Sequence, residues 1–332
     1  MASKSFLQAL ALADLQPLWD RYMRLLTREP VARDSAMAWS WKTMQPLIER
    51  AVAEVEMTDA ERRVLLFCHP AFAPSVTTTT NLSSGLQILQ AGDHAPAHRH
   101  AVAALRFMMQ GEGAVTWVDG KRCDMLEGDL ILTPAWCWHE HRNDGQDRVI
   151  WFDGLDVPLV QYLSATFLEF GPRGAVPDQY DDEALAAGTL PVNPPPQYLR
   201  YSPRYRYSAA STQQMLDAMS CAADGSRQLR YLNPLTGGAV MPTLDCYALS
   251  LRSGATTRGY RSTSNAVVVV AQGSGRTQVG EQSLEWSKGD VFTLPHWNWI
   301  SHQAHEPGTQ LFLMTDLGLL DALGYLRTEY ED

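Results

Sequence analysis

Residues 95–100 read APAHRH and set His98 and His100 on either side of Arg99. In an extended chain alternate side chains share a face, so the two imidazoles stand together on one strand. A divalent metal ion is the natural reason for such a pair, because neutral imidazole suits zinc, copper, iron and nickel. A further histidine, His139, follows about forty residues on, and the fold decides whether it joins them. Three neutral ligands leave coordination positions open, which catalysis needs, and they leave the ion its full charge, which favours an anionic, chelating substrate. Arg106 lies an even offset beyond His100, so a regular strand turns it toward the same face. A buried arginine is rare unless paired, and its fork fits a carboxylate; a structural ion pair is the plainer alternative. His141, two residues past His139, faces the same side of its strand.

These side chains need strands to hold them. From residue 66 onward β-branched and aromatic runs alternate with turn signals at Gly111–Gly113, Asp119–Gly120 and Gly128–Asp129, the spacing of a small barrel or jelly roll. The pattern recurs. Gly111 and Gly113 match Gly273 and Gly275, Gly128–Asp129 matches Gly289–Asp290, Pro134 matches Pro295, and Trp136 and Trp138 match Trp297 and Trp299. A repeat in this register means two copies of one β domain. Aligned on it, His98, His100, His139 and Arg106 fall on Tyr260, Ser262, Ile300 and Val268, while His141 falls on His302. The second copy is therefore expected to bind no metal, and a His retained without a metal points to packing as well as function. His69, His94, His296 and His305 read as ordinary loop or packing residues.

Before the first barrel, Leu15, Leu18, Tyr22 and Leu25 keep helical spacing, widened by Trp19, Met23 and Leu26. Further helices are expected over 43–54 and from Thr58 or Asp59. A segment around 157–170 reads as helical. Residues 171–207, with PVNPPP, read as an extended linker or an arm on another subunit, and residues 211–223 as a short helix. The expected division is a helical segment over 1–65, a metal-binding barrel over 66–165, a linker with a short helix over 166–235, and a metal-free barrel over 236–332.

The motifs Gly92, five residues, His98-Arg99-His100, then Gly128, five residues, Pro134, His139 and Asn143 resemble the two signatures of the cupin superfamily. The resemblance implies a mainly β bicupin, two jelly-roll (double-stranded β-helix) barrels with an N-terminal helical segment. Cupins usually add a Glu soon after the second His; Ala103–Leu105 stand there instead, so a three-His site is expected. Together with LQPLWDRYMRLLTREP, WSW, ERRVLL, GLQIL, ALRFMMQGEGA, TPAWCWHEH and WFDGLDVPLV, the chain resembles the gentisate 1,2-dioxygenase group, which includes salicylate and 1-hydroxy-2-naphthoate dioxygenases. That implies Fe(II) in the first barrel, an aromatic hydroxy-acid substrate and O2. The ring would open between the carboxylated and hydroxylated carbons, and gentisate would give maleylpyruvate. It also implies a cytoplasmic homotetramer. By the same resemblance Arg106 binds the carboxylate, His141 bonds substrate oxygens and shuttles a proton, Gln87 and Asp153 line the pocket, and Arg62 or Arg63 closes it. Ser83 departs from an expected bulky aromatic, and Val102 and Ala103 are less polar than expected. Salicylate, 5-substituted salicylates and 1-hydroxy-2-naphthoate are therefore alternative substrates, and a ligand-binding cupin without catalysis is a further alternative.

Composition narrows the field. The 332 residues carry a formal net charge of -10, the opposite of a nucleic-acid footprint. Five scattered cysteines without paired spacing fit neither a disulfide scaffold nor a cysteine zinc site, and suit a reducing cytoplasm. No membrane association is expected, since no run approaches the length of a spanning helix.

Overall fold

The computed structural model describes residues 2–60, 62–171, 180–186 and 189–331. The chain opens with α1 (Lys4–Leu12), α2 (Tyr22–Leu25), strand β1 (Ala38–Trp39), α3 (Trp41–Glu54), α4 (Met57–Ala60) and β2 (Val64–Leu66). Then come β3 (Ser83–Leu89), β4 (His94–His100), β5 (Ala104–Gln110), β6 (Ala114–Val118), β7 (Lys121–Met125), β8 (Leu130–Thr133), β9 (His139–Asn143) and β10 (Val149–Leu155). The connection holds α5 (Val157–Tyr162), β11 (Leu168–Phe170), α6 (Asp182–Ala186), β12 (Arg206–Tyr207), α7 (Ala209–Ala218) and β13 (Ser226–Arg230). The second set is β14 (Asp245–Leu251), β15 (Tyr260–Ser262), β16 (Ala266–Gln272), β17 (Ser274–Val279), β18 (Gln282–Ser287), β19 (Val291–Leu294), β20 (Ile300–Ala304) and β21 (Thr309–Thr315), closed by α8 (Leu317–Ala322) and β22 (Thr328–Tyr330).

Each barrel is a pair of antiparallel sheets. The first has the orders β12-β8-β5-β10-β3-β2 and β11-β4-β9-β6-β7; the second has β1-β19-β16-β21-β14-β13 and β18-β17-β20-β15-β22. The repeat read from sequence thus holds strand for strand. The edges are exchanged: β1, from the leader, closes the second barrel by pairing Ala38 with Phe292, while β12, from the connection, closes the first by pairing Arg206 with Ile131.

Period-2 alternation on β5 and β10 sends Met108 and Trp151 into the first barrel, with Leu89 and Ile131. Phe107 and Phe152 point the other way, into the interface between the barrels. There Phe107 stacks on Phe312 with ring centroids 4.3 Å apart. Each such buried ring contributes about 2–3 kcal/mol of transfer free energy. Gly154 permits this approach, because a Cβ there would lie 2.1 Å from the Met314 sulfur. In the leader, α3 starts where the Ser40 hydroxyl accepts from the Thr43 N–H at 3.3 Å and buries Met44 and Ile48, one helical turn apart.

Several expectations are corrected. The stripe from Leu15 to Leu26 is helical only over Tyr22–Leu25. Leu15, Leu18, Trp19, Tyr22, Met23, Leu25 and Leu26 are all exposed, because no described residue covers them and Pro17 interrupts the segment. The segment around 157–170 is helical only to Tyr162, then becomes β11, paired with β4. Within 171–207, the Tyr205 and Tyr207 side chains are buried in the chain's own first barrel and interface; residues 172–179 and 187–188 lie outside the described residues. The helix from Thr58 or Asp59 is the four-residue α4. Among the described residues no helix is long and apolar enough to cross a membrane.

Candidate metal centre

The antiparallel register of β4 and β9 puts His98 opposite His139, and His100 follows on the same face of β4. Ring centroids are 4.2 Å (His98–His139), 4.8 Å (His100–His139) and 5.1 Å (His98–His100). One ligand nitrogen from each lies within 4.8 Å of the others. Three backbone carbonyls settle which nitrogen faces inward: Nδ1 lies 2.7 Å from Val102 O in His100, 3.0 Å from Cys137 O in His139 and 3.3 Å from Pro96 O in His98. A carbonyl only accepts, so each Nδ1 keeps its proton and each Nε2 offers a lone pair.

Arg62 donates to Pro96 O at 3.0 Å and approaches His98 Nδ1 at 2.6 Å. Nδ1 cannot both receive Arg62 and donate to Pro96, so a ligating His98 gives up the Arg62 contact. Burial first, then Arg62, lowers His98 to a pKa of about 3; burial lowers His100 to about 4. All the imidazoles are therefore neutral at pH 7, the form that binds metal. His139 Nε2 is buried without a hydrogen-bond partner, a group that a metal ion would satisfy. Among the described residues no carboxylate joins the cluster: Ala103, Ala104 and Leu105, the positions without a fourth ligand, are buried apolar residues. The residues present fit a three-His site.

Behind the trio stands a buried polar wall. Arg106 on β5 donates from Nη1 to Thr133 Oγ1 at 2.7 Å, and its Nε lies 3.4 Å from Asp153 Oδ1 without making a hydrogen bond. Asp153 is held in turn by Trp151 Nε1 at 3.0 Å. Burial brings Arg106 down to about 10, opposed by Asp153, so the guanidinium stays charged. Burial raises the Asp153 carboxyl, with Arg106 opposing. Burial first, and then the charge of Arg106, lowers His139 and His141 well below the usual imidazole range. His141 is buried, with Nδ1 2.7 Å from Thr116 Oγ1 and Nε2 unpartnered. Thr116 gives its proton to Met125 Sδ at 3.0 Å; it then accepts from Nδ1, and Nε2 is left as an acceptor. Gln87, on β3 opposite Trp151, is buried with Nε2 unpartnered.

Not every candidate converges. Arg63 turns away, donating to Val55 O at 2.9 and 3.1 Å and to Asp93 at 3.0 Å, and anchors the leader. His94 opens β4 rather than a loop; it is exposed, 3.7 Å from Glu140. Thr116, Thr133 and Trp151 were missed as supports. Thr133 and Trp151 share the inward parity of Ile131 and Asp153 on their strands, and that was the available signal.

The second barrel repeats the frame without the chemistry. The register that joins His98 to His139 joins Tyr260 to Ile300 there. Leu249, Val268, Leu294 and Leu313 occupy the ladder positions of Gln87, Arg106, Thr133 and Asp153. Two features persist: His302 Nδ1 lies 2.8 Å from Thr277 Oγ1, and Arg261 stacks over Trp297 and Trp299 as Arg99 does over Trp136 and Trp138. These belong to the fold, since they survive where no metal ligand does.

A cupin-domain profile matches residues 85–157. Gentisate 1,2-dioxygenase 1 of Aquipseudomonas alcaligenes is 34% identical over 98% of this chain and 95% of its own length. The 5-aminosalicylate 1,2-dioxygenase of a Comamonas species is 34% identical over 96% and 88%. Salicylate 1,2-dioxygenase of Pseudoaminobacter salicylatoxidans, solved with gentisate, superposes with a TM-score of 0.87 at 31% identity, covering 99% of this chain and 93% of that one. On the strength of near-full-length likeness in sequence and fold, the chain belongs to the gentisate and salicylate 1,2-dioxygenase family and is a ring-cleaving bicupin dioxygenase.

Proposed function

We propose that His98, His100 and His139 hold Fe(II), and that the enzyme uses O2 to open a gentisate-type 2-hydroxybenzoate between its carboxylated and hydroxylated carbons. The observation that carries this reading is the trio, with His98 and His139 buried and His100 half-buried and with no carboxylate among the described residues, beside a buried arginine whose Nε makes no hydrogen bond. When bound, ferrous iron would supply the redox chemistry that dioxygen requires and leave positions open for substrate oxygens. Arg106 binds the substrate carboxylate, an ion pair strengthened by the dry surroundings. Asp153 and Thr133 aim the guanidinium. His141 Nε2 takes the phenolic proton, with Thr116 fixing its tautomer. Gln87 Nε2 donates to a ring substituent. Arg62, released from His98 Nδ1, closes the pocket from the leader.

A second reading, a preference for salicylate, 5-substituted salicylates or 1-hydroxy-2-naphthoate, is favoured by Ser83. This small residue is buried with its hydroxyl unpartnered where a bulky aromatic was expected. The catalytic unit in this reading is the barrel over 66–165, and the barrel over 236–332 is its metal-free partner. The apolar row from Leu15 to Leu26, left exposed, supports assembly into a homotetramer. Its five cysteines are unpaired, consistent with the cytoplasm. Anaerobic loading with Fe(II), followed by oxygen-uptake assays on gentisate, salicylate, 5-substituted salicylates and 1-hydroxy-2-naphthoate, tests the reading and ranks the substrates. Stoichiometric iron with no uptake on any of them overturns it, and sedimentation as a monomer overturns the assembly.

A further inference from the structure

Where the first barrel gathers its imidazoles, the second opens into a cavity of about 290 Å³. Its wall includes Tyr260, Ser262 and Ile300, the three positions that correspond to the metal ligands, together with Leu294 and Leu313, which replace Thr133 and Asp153. We propose that this cavity is a binding site for an uncharged, single-ring phenol.

Size is the first condition. Apolar cavities half this large hold benzene, so one aromatic ring fits. Charge sets the second. The lining has no Lys, Arg, His, Asp or Glu, and an unpaired carboxylate moved into such a wall is strongly penalised. An aromatic acid of the kind Arg106 would receive is therefore rejected here. Hydrogen bonding sets the third. The Tyr260 hydroxyl makes no hydrogen bond with any described residue, and burial raises its pKa to about 12, so it stays protonated and can both donate and accept. Tyr247 is already committed to Asp245 at 2.9 Å, and Ser262 to Ser264 at 2.9 Å. The Tyr260 hydroxyl, set in an uncharged lining that mixes Leu294, Ile300 and Leu313 with hydroxyl and amide side chains, matches a ligand with one hydroxyl on one ring. The site is for binding, because no metal ligand and no charged group survives in it.

The test is a ¹⁹F NMR titration of the iron-loaded full chain with 4-fluorophenol, without oxygen, in the presence and absence of saturating salicylate. One 4-fluorophenol per chain is expected, unaffected by salicylate, with 4-fluorobenzoate failing to bind this site. Tyr260→Phe, which deletes a single oxygen, is expected to weaken 4-fluorophenol about fivefold and leave fluorobenzene unchanged. Leu313→Trp, filling the chamber, is expected to abolish both. The proposal is overturned by absence of saturable binding below about 10 mM, by loss of binding on adding salicylate, or by fluorobenzoate binding as tightly as fluorophenol. Should Leu313→Trp fail to fold, an unchanged 4-fluorophenol affinity in Tyr260→Phe is sufficient to overturn it.

Discussion

His98 and His139 face each other across an antiparallel ladder with ring centroids 4.2 Å apart. In the second barrel the same ladder position pairs Tyr260 with Ile300. One backbone geometry thus carries a metal-capable pair in one copy and a tyrosine–isoleucine contact in the other. The frame does not depend on the metal, so the ligands can be altered without dismantling the barrel.

Removal of one ligand follows from that. His139→Ala is expected to cut iron affinity at least about 100-fold and abolish turnover, while far-ultraviolet circular dichroism stays native. Iron content by mass spectrometry of the purified variant is the check; wild-type iron loading would show that His139 is not a ligand.

Arg106 separates substrate binding from metal binding. Loss of a buried charge-assisted pair costs about 3 kcal/mol, so Arg106→Leu is expected to lower kcat/KM on the carboxylated substrate roughly 100-fold, with iron content unchanged. Arg106→Lys keeps charge but loses the fork and should fall between. A variant that loses its iron while remaining folded would place Arg106 in support of the ligands instead.

The duplicated Thr–His pair provides its own control. Thr116→Val removes the acceptor that fixes His141 and is expected to reduce kcat about tenfold with little change in iron content. Thr277→Val makes the equivalent change beside His302 and should alter stability alone. Equal losses of kcat in both variants would mean that Thr116 acts only through packing.

Asp316 makes stability pH-dependent. It accepts from Asn265 Nδ2 at 2.8 Å and from Asn81 Nδ2 at 2.9 Å, yet burial raises its pKa to about 6 from 3.8. A raised acid pKa means that the folded chain binds its proton more tightly than the unfolded one. The associated stability is fully present below about pH 4 and lost as pH rises through about 6, amounting to about 2–3 kcal/mol. Urea unfolding at pH 4.5 and 7.5 should show a smaller pH difference in Asp316→Asn than in the wild type.

The sequence by itself determined the local half of this protein. Alternation along one strand put His98 and His100 on a common face, because a pleat turns every second side chain the same way. Even spacing sent Arg106 and His141 inward, and matched glycines and tryptophans exposed the duplication. Tertiary structure decided what depends on residues distant in the chain. Leu15 to Leu26 carry a helical period, yet most of that stretch is not helical, since periodicity yields a stable helix only where a surface exists to bury it. The exchange of β1 and β12 between the barrels is invisible in their two-residue lengths. Arg62 and Arg63 are chemically alike and adjacent, but only Arg62 reaches the imidazoles, because the backbone at that point sends the neighbouring guanidinium to Val55 and Asp93. The partners that orient the site, Thr133 for Arg106 and Thr116 for His141, stand 27 and 25 residues away. Their contacts come from strand register, which hydrogen bonding across the whole sheet sets and no short stretch of sequence contains.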